Sequence, residues 1–98
     1  MNHLMHREIR LIWMDHALET GGFTRPNLAE RFGVSINRAA LDVKEYKRIS
    51  GGAIRHVVCP GTRRYMRKSG NHPVYPEPLR LAVMALLAEM DKHKEEQG

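Results

Sequence analysis

The sequence predicts a mainly α fold carrying one small β-hairpin, and three observations predict it. Apolar residues recur at helical spacing in four separate stretches. Glycine or proline interrupts the chain between those stretches, where a helix has to stop. Between the third and fourth stretches lie two short runs rich in β-branched and aromatic residues, with Pro60-Gly61-Thr62-Arg63 between them. A chain of 98 residues with 42% hydrophobic content can build one core. So small a domain is marginally stable alone, which makes oligomerisation a reasonable expectation.

Each element has its own local cause. Residues 3–20 place Ile9, Ile12, Trp13 and Ala17 on one side of a helix, and Gly21-Gly22 ends it. Thr24 then stands before Arg25-Pro26, an N-cap with a proline just inside the helix start, and Leu28, Ala29 and Phe32 form the buried side of a short second helix. Gly33 closes that helix, and Ser35 caps a third with Ile36, Ala39, Val43 and Tyr46 as its apolar series, running towards Gly51-Gly52. Residues 54–59 and 64–68 read as two strands, with proline then glycine suited to the central positions of a type II turn. Pro73, Pro76 and Pro78 keep residues 71–78 extended, anchored by Val74 and Tyr75. A fourth helix is expected over residues 79–94, with apolar residues at 79, 82, 83, 86, 87 and 90, and residues 92–98 are expected to fray.

Charge is distributed unevenly over this plan. The formal net charge is +5, yet residues 1–70 hold thirteen of the 16 Lys and Arg and only six of the 11 acids. Within them, residues 44–68 carry Lys44, Lys47, Arg48, Arg55, Arg63, Arg64, Arg67 and Lys68 against Glu45 alone. Such a concentration suits a polyanion. The single Cys59 allows no internal disulfide, no secretory leader pattern is visible, and residues 81–88 are too short an apolar run to cross a bilayer. A cytoplasmic protein without membrane attachment is therefore expected.

Two short helices joined by a glycine-containing turn have the layout of a helix-turn-helix, whose second helix enters the major groove of duplex DNA. If Ala39, Val43 and Tyr46 face the core, the opposite face of the third helix presents Asn37, Arg38, Leu41 and Lys44, with Ala40 beside them. Asn and Arg pair well with adenine and guanine edges, and Leu can meet a thymine methyl, so Asn37, Arg38 and Leu41 are assigned to bases and Lys44 to phosphate. Thr24, Arg25 and Ser35, at two helix N-termini, are the further phosphate candidates, with simple capping as the other role for Thr24 and Ser35. The α-α-α-β-β order followed by a C-terminal helix extends the motif to a winged helix-turn-helix over residues 1–70. Its wing, residues 59–64, would carry Arg63 and Arg64 to the DNA backbone or minor groove, unless they only solubilise the hairpin.

The run TRPNLAERFGVSINRAALDVKEY resembles the N-terminal winged-helix domain of WYL-domain transcriptional regulators, in particular the BrxR/CapW-like regulators of bacterial phage-defence loci. The likeness is carried by Arg25, Phe32-Gly33, Ser35, Ala39, Asp42-Val43 and Tyr46, with Tyr65 and Tyr75-Pro76 beyond, and spans roughly residues 7–78. It implies a sequence-specific regulator of bacterial or phage origin, in the manner of a repressor. The chain has no room for the effector-sensing WYL domain, and Leu41 stands where relatives often carry arginine, so neither sensing nor operator preference carries over. Asp42 would face phosphate if it lay outward, and it is expected to pair with Arg25 or Arg10 instead.

Other chemistries lack support in the sequence. His3 and His6 share a helical spacing, but no third ligand stands at a recognisable interval, and His16 and His56 read as surface or boundary residues. No nucleophile signature, phosphate loop or paired acids is present, and Cys59 reads as a small half-buried residue; neither enzyme nor cofactor is expected. The rival readings are a winged-helix protein-interaction module, an RNA-binding winged helix and a recombination accessory module. The fourth helix is too apolar for one core face, so Leu79, Val83, Leu86, Leu87 and Met90 are assigned to a homodimer interface, with closure of the monomer's own core as the alternative.

Overall fold

The computed structural model describes residues 7–59 and 62–97, with side chains except at residues 57–59, 62–63 and 94–97. The described elements are α1 (Arg7–Ala17), α2 (Arg25–Phe32), α3 (Ile36–Ile49), β1 (Ile54–Cys59), β2 (Thr62–Arg67) and α4 (Glu77–Gln97). The fold is mainly helical with one two-stranded antiparallel sheet. No helix among the described residues is long and apolar enough to cross a membrane.

The helix starts follow from side-chain caps. The Thr24 hydroxyl accepts from the Asn27 amide at 3.0 Å, and the Asn27 side chain accepts in return from the Thr24 amide at 3.3 Å. This reciprocal pair satisfies two of the amides that a helix start leaves unbonded, and Pro26 removes a third. Gly33 ends α2 in the left-handed conformation with φ 65°, and Ser35 caps α3 by accepting from the Arg38 amide at 3.0 Å. Ile36 is an exception to its apolar series: it is 48% exposed, because a residue so close to the cap lies beyond the core face.

The hairpin differs from expectation in its second strand. Pairing continues from Ile54↔Arg67 through Cys59↔Thr62, so β2 begins two residues before position 64. Pro60 and Gly61, where the turn is expected, lie outside the described residues. On its other side β2 is bonded to the loop after α1: the Tyr65 amide donates to the Phe23 carbonyl at 2.7 Å and the Phe23 amide to the Tyr65 carbonyl at 3.2 Å. Gly22 permits this approach. Its φ is 89°, and a Cβ there would stand 2.2 Å from the Tyr65 carbonyl oxygen.

The core centres on α1, whose Leu11, Ile12 and Met14, with Leu18 just after it, cluster with Leu28 and Phe32 of α2, Ala39, Val43 and Tyr46 of α3, and Val83 and Leu87 of α4. Trp13 is partly buried and meets Phe23 and Phe32 edge-on at 5.8 Å. A bidentate ion pair also joins α1 to α3. Arg10 Nε donates to Asp42 Oδ2 at 2.5 Å and its Nη2 to Oδ1 at 3.3 Å, with both side chains buried.

α4 begins at Glu77, with Pro78 in its first turn, where a missing amide costs nothing. It runs on to Gln97, through the residues expected to fray. Two interface assignments are corrected here. Val83 and Leu87 are 6% and 1% exposed and belong to the monomer core, because their i,i+4 stripe lies against α1.

Candidate nucleic-acid interface

One face of α3 is open. Its buried residues Ala39, Asp42, Val43 and Tyr46 follow helical spacing, and the opposite stripe leaves Asn37, Arg38, Leu41, Lys44 and Arg48 exposed. Leu41 is 52% exposed, a large apolar side chain flanked by amide and cationic groups. The stripe offers paired donors, an amide and an apolar contact within two turns of the helix start.

The phosphate candidates divide into distinct environments. The Thr24 and Ser35 hydroxyls both accept from their own helices, and each keeps its proton to donate outward. Arg25 reaches across to the hairpin, its Nε donating to the Tyr65 hydroxyl at 2.7 Å. Lys44 is exposed with no ion-pair partner among the described residues. Arg64 departs from the tip position assigned to it. Its Nη1 donates to the Gly21 and Gly22 carbonyls at 3.4 and 3.3 Å, because the register sets it opposite Val57 and beside the loop after α1. The Arg63 and Cys59 side chains, like His3 and His6, lie outside the described residues.

Five of the described acids lie beside arginines, whereas Glu8, Glu30 and Glu77 have no cation at ion-pair distance among the described residues. Asp42 holds Arg10, and Asp91 holds Arg31 at 3.0 Å. Asp15 stands 3.6 Å from Arg67 and 3.8 Å from Arg80, and Glu19 lies 3.3 Å from Arg67. The hydrogen bond from Arg48 holds the Glu45 carboxyl below its ordinary value, so the single acid of the basic stretch is ionised and neutralised in place. Among the described residues, eight exposed cations have no carboxylate partner: Arg7, Arg25, Arg38, Lys44, Lys47, Arg55, Lys68 and Lys92. Six of the eight lie on α3, at the start of α2, or on the hairpin and the residue that follows it; Arg7 of α1 and Lys92 of α4 are the other two.

No family model and no curated protein matches the chain. The site has to be read from its own geometry.

That geometry contains residues the sequence reading passed over or placed differently. Lys47 Nζ lies 5.8 Å from the Tyr65 ring centroid, and the His56 ring stacks on Tyr65 at 4.5 Å with 10° between planes. Arg67, counted in the basic stretch, is turned inward instead, its Nη2 donating to the Asp15 carbonyl at 2.9 Å. Strand alternation is the signal for both: a buried Tyr65 carries Arg67, two residues on, to the same face and places His56 opposite itself.

On α4 the remaining assigned interface residues are split. Leu79 and Leu86 are 40% and 38% exposed, joined by Leu81 at 50%, whereas Met90 is partly buried against the core.

Proposed function

We propose that this chain is a winged helix-turn-helix regulator that binds double-stranded DNA, with α3 as the recognition helix in the major groove and the hairpin as the wing. The observation that carries the reading is the distribution of charge: carboxylates meet Arg10, Arg31, Arg48, Arg67 and Arg80, while six of the eight exposed cations without one lie on α2, α3 and the hairpin or directly after it. A surface that concentrates unpaired cations around an amide-bearing and arginine-bearing helix face suits a phosphate backbone with base edges between. The resemblance to the WYL-regulator domain accords with a bacterial or phage repressor.

The test is a titration of the full chain against mixed-sequence duplex DNA at two salt concentrations. DNA binding requires an affinity that falls steeply with salt, with a log–log slope of about −0.9 per phosphate neutralised. Absence of duplex binding at the lower salt would return the basic face to a protein-interaction or RNA role, which acidic protein and duplex RNA probes then separate.

The exposed Leu79, Leu81 and Leu86 on α4 support a second element of the same reading, a homodimer through the face of α4 turned away from α1. Two-fold pairing would present two recognition helices to half-sites about one helical turn apart, or a multiple of it.

A further inference from the structure

Three groups from three elements converge on one buried ring. Tyr65 of β2 is 1% exposed, and its ring is approached by Arg25 of α2, Lys47 of α3 and His56 of β1. The Arg25 guanidinium carbon and Lys47 Nζ stand 5.9 and 5.8 Å from the ring centroid. His56 lies flat on the ring while remaining exposed itself, so it forms the outer cover of Tyr65.

The stacking holds the imidazole plane nearly parallel to the Tyr65 ring, on an exposed residue. Arg25 is anchored through Nε on the Tyr65 hydroxyl, which leaves the two terminal nitrogens of its fork to donate elsewhere. Neither Arg25 nor Lys47 has a carboxylate partner among the described residues, so the convergence is not balanced from within the chain. Arg25 of α2 and Lys47 of α3 share the Tyr65 ring with His56, and exposed Arg55 neighbours His56 on β1. Arg67, further along β2, is held inward by Asp15 and Glu19.

We propose that Arg25, Lys47 and His56 form a seat for a backbone phosphate of duplex DNA, which His56 grips as the protonated imidazolium. The proposal rests on the DNA-binding reading above and adds to it a proton taken up on binding. An imidazole titrates between about pH 5 and 8, and a phosphate beside it favours the charged form. Binding of a phosphate there is then coupled to uptake of a proton by the imidazole, so affinity gained this way is present at acid pH and is lost as pH rises.

The experiment measures the affinity of the full chain for a labelled mixed-sequence duplex by fluorescence anisotropy, at fixed salt, from about pH 5.5 to 8. Wild-type affinity should fall by about three- to tenfold across that range, tenfold corresponding to a shift of one pKa unit. His56→Gln, which keeps a planar polar group on the ring but cannot ionise, should remove most of that dependence and bind throughout like the wild type at high pH. Lys47→Gln should weaken binding several-fold at every pH and reduce the salt slope by about one. Thermal melting checks that both variants fold, and the His56 ring-proton resonances should titrate at higher pH once duplex is added. Strong wild-type binding with the same pH slope in His56→Gln overturns the seat and leaves the DNA-binding reading standing. No duplex binding by the wild type overturns both.

Discussion

The Asp15 carboxylate of α1 accepts the Tyr46 hydroxyl of α3, with both side chains fully buried. The same carboxylate accepts the Val74 amide at 2.9 Å and the Tyr75 amide at 2.8 Å, fastening the proline-rich connector to α1. Arg67 and Arg80 lie close enough to neutralise it, and Arg80 is in turn held by the Tyr75 carbonyl at 3.1 Å. One acid thus joins α1, α3, β2, the connector and α4. A buried carboxylate is tolerable only when its lone pairs and charge are met, and here they are.

Removing that acid should be among the most damaging single changes. Asp15→Ala leaves largely buried Arg80 without a carboxylate and Arg67 with Glu19 alone, and breaking a buried pair from one side costs about 3–5 kcal/mol. Urea unfolding would read the loss as a lower midpoint. A midpoint within error of the wild type would mean that water or Glu19 replaces the carboxylate without penalty.

Alkaline pH should act on the same junction. Burial, with the Asp15 carboxylate beside it, pushes the Tyr46 phenol well above its ordinary value, and burial with Glu8 nearby pushes Tyr75 up to about 12. The stability these phenols contribute is complete below about pH 10, where a free tyrosine ionises, and is lost as pH rises through the folded-state values. Phenolate absorbance should therefore appear late and together with unfolding, and Tyr46→Phe should be less stable at neutral pH with a weaker alkaline dependence.

Gly22 and Gly51 offer a matched pair for backbone chemistry. Both have positive φ, but a Cβ at Gly51 meets nothing within 4 Å, whereas one at Gly22 collides with the backbone of β2. Gly51→Ala should cost about 1 kcal/mol, the ordinary left-handed penalty. Gly22→Ala should cost at least about 2 kcal/mol more, because the Phe23–Tyr65 bridge has to separate. Equal melting temperatures for the two variants would show that the loop relaxes freely.

Within α3, affinity and specificity should separate. Arg38→Ala is expected to lose about 1–3 kcal/mol and to relax preference at one base pair, while Lys44→Ala weakens all sequences alike and lowers the salt slope by about one. Selection from a random duplex library, repeated with each variant, reads both effects. An Arg38→Ala protein with unchanged affinity and preference would mean that α3 does not present this face to bases.

α4 should respond differently on its two sides. Leu87→Ala opens the monomer core and should cost about 2–5 kcal/mol. Leu81→Glu touches the exposed side, leaves thermal stability of the protomer close to wild type, and should dissociate a dimer detected by light scattering. A wild-type chain that runs as a monomer at tens of micromolar contradicts the dimer.

Most of the local plan was legible in the sequence. Helical periodicity marked α1 to α4, and the caps at Thr24 and Ser35 and the stop at Gly33 fall where hydroxyl and glycine chemistry places them. These features depend on residues within one or two turns of each other. Asp42 is expected to pair with Arg25 or Arg10 because an outward carboxylate would face phosphate, but the choice of Arg10 depends on the packing of α1 against α3.

What the tertiary structure alone decided are relationships between residues far apart in sequence. It turned Arg67 inward and Arg64 back onto a loop, although both belong to a run that reads as uniformly basic. It gave Gly22 a close approach to β2 where the sequence reads only a helix stop. It divided the α4 leucines between core and surface, since the direction from which α1 approaches decides which stripe is covered. Sequence patterns determine which groups share a face; only the placement of neighbouring elements determines whether that face is buried, paired with a distant charge, or left open to a partner.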